Sequence, residues 1–280
     1  MTDSPPPFEA LSPLLEKALG TPHVKLEEMA GGASTRRFFR IEAPNGPSAV
    51  AMYVPLPSQE VSKAQESGRR WPFLEVRDLL ASRAIRVPAL LAEACESGWL
   101  LVEDLGETLA QHLEHSPEDK PALYQRAVRD LAKAQRALET LPEHSIVLQR
   151  AFDADLLRWE IDHFREWALE ARGIVLGERD RAVFARATEY LATTIAAWPR
   201  GFVHRDYQSR NLMVLPDGPG AHALAWIDFQ DAMLGPRVYD LVALLGDSYQ
   251  SFDRAFVDAR LAEFATHMGF DAKTEASVAR

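Results

Sequence analysis

Asp206, Asn211 and Asp228 are oxygen-bearing side chains at spacings that suit phosphoryl transfer. The first two sit in His204-Arg205-Asp206-Tyr207-Gln208-Ser209-Arg210-Asn211, and the third in Ile227-Asp228-Phe229-Gln230-Asp231. An apolar run follows Asn211, then Pro216-Asp217-Gly218-Pro219-Gly220, which is dense in turn formers; a second apolar run ends at Asp228. If the two runs pair as an antiparallel hairpin, its start and finish lie side by side. The Asn211 amide and the Asp228 carboxylate then share one end, beside the loop carrying Asp206. A carboxylate and an amide oxygen are hard ligands that suit Mg²⁺, which keeps waters and phosphate oxygens as its other ligands. A second carboxylate nearby could aim a hydroxyl and accept its proton. Phosphoryl transfer needs this division of labour: metal to neutralise developing charge, and one group to orient the nucleophile.

His-x-Asp-x4-Asn, a hairpin and then Asp follow the order of the kinase catalytic-loop and metal-Asp signatures. The metal Asp stands in Ile-Asp-Phe-Gln-Asp rather than Asp-Phe-Gly. That variant, with Gly235-Pro236-Arg237-Val238-Tyr239-Asp240-Leu241, resembles the aminoglycoside phosphotransferase and choline kinase family. Within it the chain looks most like the bacterial cell-wall amino-sugar kinases, which phosphorylate N-acetylmuramate and N-acetylglucosamine at the 1-hydroxyl. Arg36-Arg37-Phe38-Phe39-Arg40 and Trp99 to Gly106 carry this likeness along with the two catalytic stretches.

The resemblance implies a two-lobed, protein-kinase-like α+β fold and an ATP- and Mg²⁺-dependent transfer to a small-molecule hydroxyl. Asp206 would be the catalytic base, and Asn211 and Asp228 the magnesium ligands. Asp240 would hold the catalytic loop's backbone, and His204 would be a packed, hydrogen-bonded loop residue. Glu103 to Leu105 would meet the adenine edge through backbone groups. An aminoglycoside or a choline-like amino alcohol is the alternative acceptor. A nucleotide-binding pseudo-kinase, acting as a sensor or binding module, is the alternative from another class.

Other positions keep two readings. Asp231 contacts substrate or metal, or caps the following turn. Glu160 borders the acceptor pocket, or its helix carries an ordinary core stripe. Ser34 and Thr35 offer hydroxyl and N–H groups to nucleotide phosphates, or the Gly31-Gly32 segment is only a tight turn. The run 49–54, where kinases generally place a phosphate-pairing Lys on the third strand, contains none. Arg36 or Arg37 on the preceding strand is the candidate replacement. Relatives in the family usually continue with further helices past the point corresponding to Gly269, which bears on the acceptor pocket.

The bulk properties fit. A formal net charge of −10 opposes binding to a nucleic-acid backbone but not to a nucleotide. Cys95 is the only cysteine, so intrachain disulfides and multi-cysteine metal cages are excluded, and a cytoplasmic setting is expected. No long apolar run suggests a membrane span, and no pattern fixes the oligomeric state.

Stepwise periodicity predicts a short helix over 8–19, then strands within 24–54: Val24 to Leu26, Arg36 to Glu42 and Ala49 to Val54. It further predicts a helix over 59–84, strands over 87–91 and 99–103, and helices over 108–138, 153–171 and 178–198. The expected lobes are 1–102 and 107–280, joined by a hinge at 103–106, with the nucleotide in the cleft between them.

Overall fold

The computed structural model describes residues 6–29, 35–44, 46–58, 61–62, 68–217 and 222–270. Ser34 therefore lies outside the described residues, as do Gly31 and Gly32. The chain divides into two compact units, Met1–Thr108 with Met213–Ile227, and Leu109–Leu212 with Asp228–Arg280.

The first unit is built on a five-stranded antiparallel sheet. Its strands are β1 (Lys25–Glu28), β2 (Arg37–Glu42), β3 (Ser48–Tyr53), β4 (Leu90–Ala94) and β5 (Trp99–Glu103), in the order β1-β2-β3-β5-β4. Alternation puts Phe39 and Ile41, Ala49 and Ala51, and Trp99 and Leu101 into one apolar cluster. Leu11, Leu14 and Leu15 join it from helix α1 (Ser12–Leu19) and the residue before it. Small Ala residues on the central strand leave room for the rings of Phe8, Phe39 and Trp99, whose centroids lie 5.3–5.8 Å apart. β4 begins at Leu90, three residues later than expected. Pro88 cannot donate to a ladder, and pairing resumes only after it. The helix predicted over 59–84 is shorter where described: α2 covers Pro72–Ser82, with Pro72 in its first turn.

A two-stranded sheet of β7 (Leu212–Pro216) and β8 (His222–Trp226) forms the hairpin that the turn-rich segment predicts. Met213 and Ala225 pack with Leu105, and the Trp226 N–H donates to Arg86 O at 2.8 Å. The hairpin is thus part of the first unit, and its sequence neighbours Asn211 and Asp228 belong to the second.

The second unit is mostly helical. Its helices are α3 (Leu109–His115), α4 (Lys120–Ala137), α5 (Ala154–Phe164), α6 (Glu178–Ala196), α7 (Tyr239–Leu245) and α8 (Arg254–Met268). The single helix predicted over 108–138 is two, because Pro117 and Pro121 remove donors and force a 3₁₀ turn at Pro117–Asp119. The one predicted over 153–171 leaves α geometry after Phe164. It widens to a π turn at Arg165–Leu169 and ends in a 3₁₀ turn before Gly173, whose φ is +77°. α4 buries Leu123, Tyr124, Ala127, Val128 and Leu131 along one face. A further strand pair, β6 (Arg200–Val203) with β9 (Met233–Pro236), brackets the catalytic stretch and is antiparallel in register Val203↔Met233. Among the described residues no helix is long and apolar enough to cross a membrane.

Candidate active site

β6 ends at Val203 and delivers the chain into the loop 204–211. Its first two backbone N–H groups are captured by one carboxylate: His204 N donates to Asp240 Oδ2 at 2.7 Å, and Arg205 N to Oδ1 at 3.0 Å. Asp240 is fully buried in the first turn of α7. Burial pushes its carboxyl up to about 7, while the two N–H donors pull the other way. His204 is also fully buried, with its ring edge-on to Tyr207 at 5.8 Å. The Tyr207 hydroxyl in turn donates to Ala127 O at 2.9 Å, which pins the loop's middle to α4.

The anchoring carries a conformational cost. Arg205 has φ +82° and Asp228 φ +61°, left-handed values that non-glycine residues adopt rarely. Arg205 adjoins the Asp206 carboxylate and Asp228 carries one itself, and such conformations persist only where surrounding bonds over-determine them. At Arg205 these are its N–H bond to Asp240 and a guanidinium contact to Glu160 Oε1 at 2.9 Å.

Asp206 follows, half-buried. Burial raises its carboxyl above the ordinary carboxylate range, and the negative charge of Asp228 raises it further. Arg205 opposes these effects, while Asp231 and Glu160 add to them. All five groups thus act on one small volume of the second unit. Asn211 Nδ2 donates to the Asp206 carbonyl at 2.8 Å, which commits the amide nitrogen, so Oδ1 is the atom that would meet a metal. Gln230 Nε2 donates to Asp228 Oδ1 at 2.8 Å and to Asp231 Oδ2 at 3.2 Å, yoking these two carboxylates. Oxygens of Asn211 and Asp228 that no side chain or backbone group engages among the described residues, with mutually repelling carboxylates nearby, fit a divalent cation of hard character.

Glu160, on α5, is turned towards Arg205, so its carboxylate holds the catalytic loop. The core stripe offered as the other reading of this segment is not formed: Trp159, Phe164 and Trp167 are 49%, 57% and 69% exposed.

In the first unit, Glu103 is more occupied than a simple adenine contact needs. Its N–H donates to Ala89 O at 2.9 Å, and its carboxylate accepts from Arg86 and the Ala89 N–H. Leu105 is buried against Met213 and Ala225. Arg40 fixes the segment between, donating to the Asp104 carboxylate at 2.9 Å and to Gly106 O at 3.2 Å. Arg37 is bidentate to Glu28 at 2.8 and 2.9 Å and stands over the Phe39 ring. Thr35 is exposed, and Arg36 leads into β2 half-buried.

Two supporting contacts had no sequence signal. The Gln230 yoke joins neighbours whose facing only the backbone reveals. Asp247, seven residues after Asp240 and outside every motif, accepts the Ser209 N–H at 2.8 Å.

Residues 25–274 match the phosphotransferase enzyme family. The chain is 33% identical over 244 residues to an N-acetylmuramate/N-acetylglucosamine kinase of Pseudomonas putida, covering 87% of this chain and 66% of that protein. It is 31% identical over 234 residues to a protein of the same name from Neisseria meningitidis, covering 81% and 63%. The chain thus spans somewhat less than two thirds of the length of these curated relatives. Among solved structures it is similar to the GDP complex of wild-type aminoglycoside 2'-phosphotransferase-IIIa, with a TM-score of 0.60 at 14% identity over 96% of this chain and 86% of that one. An ethanolamine kinase of Plasmodium vivax aligns with a TM-score of 0.55 at 12% identity, over 90% and 70%. These likenesses show the α+β, protein-kinase-like fold that the motifs imply, and the chain belongs to the phosphotransferase enzyme family.

Proposed function

We propose that the protein is an ATP- and Mg²⁺-dependent kinase that phosphorylates a hydroxyl of a small molecule, with the anomeric hydroxyl of an N-acetylated amino sugar as the preferred acceptor. The observation that carries the reading is the clamped loop. Asp206 is held between an Asp240-anchored backbone and an Asn211 amide whose nitrogen is committed to the Asp206 carbonyl. The names of the relatives support the choice of acceptor; a cytoplasmic role in cell-wall recycling is part of the same proposal.

Asn211 and Asp228 would hold the magnesium, which supplies charge neutralisation at the phosphates. Asp206 aims the acceptor hydroxyl and takes its proton as the hydroxyl oxygen bonds to the γ-phosphorus and the bond from that phosphorus to the bridging oxygen breaks, releasing ADP. Its raised pKa makes it a better proton acceptor than an ordinary carboxylate. Glu160 offsets the Arg205 charge that would otherwise weaken that basicity. Arg36 and Arg37 are the candidates for the phosphate-binding cation, with Thr35 beside them; Glu103 and Leu105 carry the adenine edge. Asp231 is assigned to the acceptor side, where Gln230 fixes its orientation.

The absence of a Lys from β3 favours one competing reading, a nucleotide-binding sensor without turnover. Incubation with ATP, Mg²⁺ and a panel of N-acetylated sugars, aminoglycosides and choline separates the two. Turnover on the N-acetylated sugars is the expected result. Turnover confined to aminoglycosides or choline overturns the acceptor, and nucleotide binding without turnover on anything overturns the enzyme.

A pH profile tests the base. Asp206 works ionised, and its raised pKa places the acid limb of kcat/KM above the range of an ordinary carboxylate. The charge of Asp231 contributes to that rise. Asp231→Asn removes the charge, lowers the Asp206 pKa, and is expected to move the acid limb to lower pH. A limb that stays in place or moves up contradicts the assignment.

A further inference from the structure

We propose that Asp247 is a positioning residue that sets the metal-binding geometry of Asn211, separately from the base. This rests on the assignment of Asn211 as a metal ligand. Asn211 closes a 3₁₀ turn, Ser209–Asn211, in which its N–H donates to Gln208 O at 2.9 Å. The aim of its Oδ1 therefore depends on where residues 209 and 210 are held. Both are held by one carboxylate and its neighbour. Asp247 Oδ2 accepts the Ser209 N–H at 2.8 Å, and Oδ1 accepts the Tyr249 N–H at 2.9 Å. The Tyr249 ring, fixed in this way, carries the Arg210 guanidinium 3.5 Å above its centroid.

Asp247 is only 5% exposed, and Ser209 is fully buried. The Asp247 charge acts on Lys120, whose ammonium is itself held by Ser251 O at 2.7 Å and stands 4.5 Å from the Phe252 ring centroid. It also acts on the buried Tyr124 phenol, which it helps to raise. These contacts come from α4 and from the segment after α7, so the carboxylate is fixed from two sides.

Helix α7 thus relates the two ends of the catalytic loop. Asp240 in its first turn grips residues 204 and 205, ahead of the base. Asp247, two residues past its last turn, grips residue 209 and, through Tyr249, residue 210, ahead of the metal ligand. The two carboxylates should therefore be separable by experiment. Asp247→Asn replaces one accepting oxygen with a donor, so one of its two N–H partners loses its bond.

Binding of Mn²⁺ in the presence of ADP, followed by the electron paramagnetic resonance signal of free Mn²⁺, reads the metal end without turnover. Asp247→Asn is expected to weaken Mn²⁺ about tenfold, as removal of a supporting residue behind a metal ligand typically does. At saturating metal, its kcat should fall far less than its metal affinity. Asp240→Asn should show the reverse split, with kcat lowered and Mn²⁺ affinity retained within about twofold, inside the usual effect of a ligand-supporting change. Tyr249→Ala spares the buried carboxylate, and loss of the cation–π contact should weaken Mn²⁺ about threefold. If Asp247→Asn does not fold, this exposed-ring variant carries the test. Unchanged Mn²⁺ affinity in the folded variants overturns the proposal, as does an equal loss of kcat and metal affinity at both carboxylates. A wild-type protein that binds no Mn²⁺ with ADP overturns the metal assignment as well. Binding without turnover on any acceptor, with the predicted split in Mn²⁺ affinity, supports Asp247 and sinks only the catalytic reading.

Discussion

Asp206→Asn is expected to lower turnover by about 10²–10⁴-fold, the usual contribution of a positioned general base. The Asn side chain is nearly isosteric, so it leaves the loop's packing in place but cannot take the acceptor's proton at neutral pH. The Asn211 bond goes to the backbone carbonyl of residue 206, and the substitution leaves that atom untouched. Nucleotide affinity should accordingly survive. Steady-state kinetics on the best acceptor, with calorimetric titration of ADP, checks both halves of this expectation. Retained turnover would mean that the base is misassigned; lost nucleotide binding would mean that residue 206 acts on the nucleotide rather than on the acceptor.

The second large effect is expected at Asp240. Asp240→Ala removes both acceptors of the His204 and Arg205 N–H groups and leaves those donors facing a small cavity. A buried donor stripped of its partner costs about 1–3 kcal/mol, so the two together should destabilise the protein by roughly 3 kcal/mol. Arg205 also loses one of the bonds holding it at φ +82°, and relaxation to an ordinary conformation would swing the adjacent Asp206. Both stability and activity should therefore fall. Thermal unfolding should show a drop of about 5 °C, following the usual scaling for a chain of this size. An unchanged melting temperature with intact activity would show that the loop is held by something else.

The motif residues were legible because they are bound to sequence spacing. Asp206 and Asn211 belong to one loop, and a turn-rich segment between two apolar runs brings Asp228 back towards it. Strand β5 matches the expected Trp99 to Glu103, and β3 differs from its expected range by one residue at each end. Both follow from apolar runs bounded by turn formers. What could not be read depends on partners distant in sequence. β9, Met233-Leu234-Gly235-Pro236, has neither alternation nor strand propensity, and it is extended because β6 pairs with it. Gly235 suits that place because an added Cβ would meet Phe152 and Val203 side chains at 3.0 Å.

The same limit applies around the site. Arg40 reads as one of several basic residues on a strand, and only the fold shows it tied to Asp104 and Gly106. Glu160 reads as a candidate sugar contact because Trp and Glu suit a sugar, and only the fold shows that its carboxylate also engages Arg205. Asp247 carries no motif at all. Its importance arises from a buried contact to Ser209, 38 residues earlier, which local pattern cannot disclose.

Transfer of label from γ-³²P-ATP to N-acetylglucosamine or N-acetylmuramate, with and without Mg²⁺, decides whether the protein is a metal-dependent amino-sugar kinase. A labelled sugar 1-phosphate should form only with the metal and disappear in Asp206→Asn. ATP bound by the wild-type protein, with no label passed to any hydroxyl acceptor, would contradict it.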